Sequence, residues 1–174
     1  LDLYAISASV DSLVTDDTYT QTINLGFDFD FYGVTYNKML ISSNGYVTFD
    51  TTSAGGYSPW AINAAIPNPG TPPENSIMVT WQDTDPGVAG AIYFGSYGAA
   101  PNRVYVVTWC GLAMFSCNNL IYTSQLRMYE GSNKIEMYLQ DKPLCATWNA
   151  GAAVQGLVDA TSTNFNIVND PVQI

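Results

Sequence analysis

The sequence predicts an all-β fold, an antiparallel two-sheet β-sandwich or jelly roll of roughly ten strands with one short helical turn. Three observations carry this. Tyr (12), Gly (14) and Pro (9) outweigh the good helix formers, a balance that suits strands joined by turns. Several segments alternate apolar and polar residues with period two. Turn residues then punctuate those segments at short intervals. The 174 residues contain no internal repeat and no linker, so 1–174 is expected to form a single domain with a substantial core.

Residues 1–20 are Asp- and Thr-rich and weakly patterned, suiting a strand plus a loop. In TINLGFDFDFYG, Phe27, Phe29 and Phe31 share one face while Asp28, Asp30 and Tyr32 share the other. That is a half-buried strand with its aspartates in solvent. In KMLISSNGYVTFD, Asn44-Gly45 favours the left-handed conformations of a type I′ hairpin. A two-residue loop there would pair Ser43 with Tyr46, Ser42 with Val47 and Leu40 with Phe49.

SPWAINAAIPNPGTPPENS follows, with Pro59, Pro67, Pro69, Pro72 and Pro73. The helical turn is expected over 60–66 (Trp60 to Ile66), the remainder being a Pro-rich surface loop of the kind that often carries function. Ile77, Met78, Val79 and Trp81 read as a core strand that runs into Asp83, Asp85, Pro86 and Gly87. Further strands are expected at 91–94, 103–110, 121–130, 134–140 and 152–159, with EGSN (Glu130 to Asn133) turning a hairpin between the third and fourth of these.

Charged residues make up only 11%, and five Lys+Arg against fifteen Asp+Glu give a net charge of −10. Nucleic acid and anionic membrane surfaces are disfavoured as partners, while a cation or a neutral glycan is compatible. The chain has no histidine. That removes the Ser-His-Asp triad, the Cys-His dyad and His-ligated zinc. No apolar run approaches a membrane span and no leader opens the chain. No Asn-x-Ser/Thr sequon occurs.

Cysteines stand at 110, 117 and 145 without a CxxC pair. Cys110 and Cys117 are close enough in sequence to clip one loop in an oxidising compartment, leaving Cys145 over. The alternative is three buried thiols acting as small hydrophobes.

Asp83 and Asp85 admit three readings. Alternate residues of an extended segment point the same way, so both carboxylates can converge on a hard cation such as Ca²⁺. Asp85-Pro86-Gly87 is equally good turn chemistry. A catalytic carboxyl pair would need a second acid across a cleft, and Glu74 is the nearest glutamate in sequence. Glu130 and Glu136 read as hairpin-surface charges. For sugar recognition the stacking candidates are Tyr57, Trp60 and Trp148, while Trp81 and Trp109 read as core.

LGFDFDFYGVTYNKMLISSNGYVTFD, AINAAIP, ENSIMVTWQDTDPGVAGAIYF, APNRVYVVTW and IYTSQLRMYEGSNKIEMYLQDKPLC together resemble a module of large secreted surface proteins of gliding Bacteroidetes-type bacteria. Those proteins are exported by the type IX secretion system. The skeleton is also similar, more loosely, to the nidogen-type extracellular domain. The match runs from about residue 22 to about residue 160.

The resemblance implies a secreted or cell-surface β-sandwich, one module of a longer protein, serving adhesion or surface-fibre architecture without catalysis. Its partners would be neighbouring modules or copies of itself. A carbohydrate-binding module is the alternative and a glycoside hydrolase a distant third. No cofactor is required, although calcium fits. Family members carry a Cys just before the Trp of the WAI segment. Ser58 and Pro59 stand there instead, which leaves Cys110–Cys117 as the implied disulfide. Asp11–Leu13 and Asp50–Thr52 look like the short O-glycosylation tripeptide of such bacteria, which would place sugars on Ser12 and Thr51.

Overall fold

A computed structural model describes residues 13–70 and 73–170. Two antiparallel sheets face one another. The first has the order β1 (Ile23–Phe31), β2 (Val34–Ile41), β3 (Tyr46–Thr48), β4 (Ser76–Trp81), β10 (Val154–Val158), β11 (Phe165–Asn169). The second runs β5 (Thr84–Asp85), β7 (Val104–Met114), β8 (Cys117–Tyr129), β9 (Ile135–Asp141), with β6 (Ala91–Tyr97) also paired to β7.

Strand β1 buries Leu25, Phe27, Phe29 and Phe31 and exposes the residues between them, as the alternation predicts. Those rings join Ile41, Val47, Ile77, Val79, Trp109, Tyr122 and Leu126 in the core between the sheets. Strand β4 is buried along its whole length because it is covered on both faces. Ile77 and Val79 enter the inter-sheet core, while Met78 joins Tyr19, Leu40, Tyr46, Ile66 and Trp81 in a second cluster. A strand so enclosed reads as a continuous apolar run rather than an alternating one.

Three expectations are corrected. Residues 60–66 form no helical turn; Ile62 and Ile66 lie in the second cluster, and the Ile66 N–H donates to Asp170 Oδ2 at 2.7 Å instead of closing a helix. Among the described residues the one helical turn is a 3-10 turn at Asn149–Gly151. The hairpin after β2 has a three-residue loop, Ser43 to Gly45. Leu40 therefore pairs with Thr48 and Ile41 with Val47, one residue off the two-residue register, and the Ser42 N–H donates to the Tyr46 carbonyl. Gly45 takes φ +80°, and a Cβ there would stand 2.2 Å from the Thr80 carbonyl oxygen.

The disulfide joins Cys117 to Cys145, with Cα atoms 5.9 Å apart, and Cys110 is a free, half-buried thiol. The expected Cys110–Cys117 bridge is excluded by the β7–β8 register. Met114 is the residue opposite Cys117, and four residues of strand back to Cys110 span roughly 13 Å, well beyond a bridgeable Cα separation of about 7 Å.

Candidate functional site

The segment before β1 is laid along the turns of the first sheet by isolated bridges, Thr18 to Tyr57 and Tyr19 to Ser42. Asn44, fully buried, fixes this corner. Its Nδ2 donates to Asp17 Oδ1 at 2.9 Å, and its Oδ1 accepts the Thr84 N–H at 3.1 Å. Asp17 sits at φ 49°, a left-handed conformation that aspartate tolerates. From the other side, the exit of β4 delivers Asp83, whose carbonyl accepts the Phe115 N–H.

Asp16, Asp17 and Asp83 thereby converge. One carboxylate oxygen of each lies within 4.8 Å of the other two. Asp83 is only 7% exposed; its Oδ2 accepts Trp148 Nε1 at 2.8 Å, while Oδ1 is buried with no partner among the described residues. Asp16 Oδ1 is in the same condition.

Burial pushes the Asp83 carboxyl up to about 7; the Trp148 bond opposes this, and the charges of Asp17, Asp16 and Asp85 add to it. Asp16 rises to about 6 through burial and the charges of Asp17 and Asp85. Asp17 is also raised by burial, against its bond from Asn44 and with Asp85 adding to the rise. Asp85 itself lies outside the convergent trio. Its Oδ1 accepts the Gly87 N–H at 2.8 Å, the turn chemistry expected of Asp-Pro-Gly.

Trp148 packs between Trp60 (centroids 5.5 Å apart) and Phe115 (4.9 Å), and both tryptophans are half-buried. Tyr57 is 62% exposed. It lines an open groove of about 610 Å³ with Tyr19, Asp50, Ser53, Pro59 and Glu74. Thr51 lies in the turn that begins this groove's rim, where Asp50 Oδ1 accepts the Thr52 N–H. Ser12 lies outside the described residues. Trp81 and Trp109 are core, at 4% and 0% exposure.

A Glu74–Asp83 or Glu74–Asp85 acid pair is ruled out by the fold. Glu74 precedes β4 and the aspartates follow it. The strand alone separates them by roughly 17 Å, past the ~10 Å limit of a paired-carboxyl mechanism. Glu130 and Glu136 are held low, to about 2, chiefly by Arg103 and by Lys134 with Tyr129 and Tyr138 respectively. They are hairpin-surface charges, as expected.

Asp16, Asp17 and Asn44 were not distinguishable as site residues from sequence. The Thr-Asp-Asp run at 15–17 reads as loop, and Asn44 reads as a turn residue.

A two-layer antiparallel sandwich clipped by one disulfide, with an acidic corner and an open tyrosine-lined groove, has the build of an extracellular-type module. The chain belongs to the NIDO-related family, whose model matches residues 3–173. That family is extracellular and in general not enzymatic. Comparison with curated proteins and with solved structures gave no match. No helix among the described residues is long and apolar enough to cross a membrane.

Proposed function

We propose that this domain is a non-catalytic module of a secreted or cell-surface protein, acting through contact with neighbouring modules or copies of itself in adhesion or surface-fibre architecture. Export in a large surface protein of a gliding bacterium belongs to the same proposal. The observation that carries it is the corner where Leu139 of β9 and Asn169 of β11, the terminal strands of their sheets, line one hollow. Leu139 (48% exposed) and Leu144 (67%) border two adjoining hollows that share Lys142, Ala153 and Asn169. Val168 (65%) and Phe165 (43%) stand out from β11. Exposed apolar residues at and beside the terminal strands are what an associating surface offers.

Sedimentation velocity up to the millimolar concentrations that a tethered neighbour experiences tests this. The wild type is expected to associate, and the Leu139→Lys/Leu144→Lys double variant to stay monomeric with an unchanged melting temperature. A wild type that remains monomeric throughout contradicts the proposal, as does turnover of a glycoside substrate.

The Tyr57 groove favours a second reading, a glycan-binding module. An exposed ring beside carboxylates and hydroxyls is the arrangement that stacks on a sugar and hydrogen-bonds its rim. Selective retention on a glycan array, lost in Tyr57→Ala, would support it.

A further inference from the structure

We propose that Asp16, Asp17 and Asp83 form a divalent-cation site, selective for calcium, that fastens the segment before β1 to the β4–β5 junction. The inference does not depend on the contact function.

The geometry is the first reason. Two oxygens each about 2.4 Å from one calcium ion are at most about 4.8 Å apart, and the three carboxylates already meet that limit. The second reason is that the cluster holds buried oxygens with no partner. Asp83 Oδ1 and Asp16 Oδ1 are both out of water and accept no hydrogen bond from the described residues. Leaving a buried carboxylate oxygen unpaired is costly unless a cation or a proton compensates it.

Charge is the third reason. Among the described residues, the charged groups acting on Asp16, Asp17 and Asp83 are one another and Asp85, with no lysine or arginine. Arg103 and Lys134 are committed to Glu130 and Glu136.

The donor set then selects the metal. It is all oxygen, with neither imidazole nor thiolate, which disfavours zinc and copper and suits a hard cation. Calcium accepts the irregular, partly water-completed shell that three carboxylates on two loops provide, whereas magnesium demands near-ideal octahedral geometry. Asn44 acts as a positioning residue here, since it holds Asp17 at the cluster and anchors the backbone of Thr84 beside Asp83.

The sites of extracellular modules bind calcium with Kd on the order of 0.1–1 mM. The whole 174-residue chain, freed of metal with chelator, is titrated with CaCl₂ by calorimetry and melted in 10 mM CaCl₂ or in EDTA. One equivalent is expected to bind, with a rise in melting temperature of about 5–10 °C at a hundredfold excess over Kd. Asp83→Asn and Asp16→Asn should each lose both responses, while melting in EDTA no lower than the wild type because a repulsive charge has gone. If Asp83→Asn does not fold, Asp16→Asn decides. Absence of heat and of any shift at 10 mM calcium overturns the proposal. So does an equal shift in the folded variants, or a larger response to magnesium or zinc than to calcium.

Discussion

Removing the Cys117–Cys145 bridge should destabilise the domain by an amount that its topology sets. The bond closes a loop of 28 residues in sequence separation. The chain-entropy relation for such a loop gives about 12 cal/mol/K, or ~3.6 kcal/mol at 25 °C. For a domain of this size each kcal/mol moves the melting temperature by about 2–4 °C, so the loss should be about 7–14 °C. The bridge pins the 142–148 segment, which carries Trp148 to Asp83, against the start of β8. Urea unfolding of Cys117→Ser/Cys145→Ser against wild type, with non-reducing peptide mapping alongside, measures the effect. Cys110→Ala, which touches only a half-buried free thiol, should cost under ~1 kcal/mol. Mapping a Cys110–Cys117 peptide, or finding Cys110→Ala more damaging than the double variant, would refute the reasoning.

Two more perturbations follow from single positions. Gly45→Ala should cost roughly 2–4 kcal/mol, read as a shift in urea midpoint, because the new Cβ meets the Thr80 carbonyl at 2.2 Å in a left-handed backbone. Asp159 governs acid stability of the β10–β11 turn. Burial raises its carboxyl, but bonds from Asn164, Thr161 and Thr163 outweigh that and hold it down at about 2. Its folded value thus lies below the ordinary 3.8, so its stabilisation is complete above that value and is lost as pH falls towards 2. Wild type should exceed Asp159→Ala in unfolding free energy at pH 6, with the gap narrowing steadily from pH 5 to pH 2.

Much of the sandwich was legible because its signals are local. The ring ladder of β1 alternates with solvent-facing aspartates, and the apolar run of β4 marks a strand enclosed on both faces. The strands from Ala91 to Gln140 were legible for the same reason. Strand β11 was not, since only Ile167 is even partly buried and an edge strand imposes no pattern. Hairpin register failed at Asn44, whose side chain is a buried hub for Asp17 and Thr84 rather than a solvated turn residue. The Cys117–Cys145 pairing depends on the return path after β9, which no spacing encodes. Asp83 was legible as an acid ending a core strand. Its companions were not, because Asp16 and Asp17 lie more than sixty residues away in sequence and meet it only once the sandwich closes.

Hydrogen exchange of backbone amides, compared between micromolar and millimolar protein, tests most directly whether this domain works by contact through its strand edges. Slowing of exchange concentrated at 135–144 and 165–169, removed by Leu139→Lys/Leu144→Lys, is the predicted result. Exchange that is independent of concentration, or protection confined to the groove around Tyr57, would contradict it.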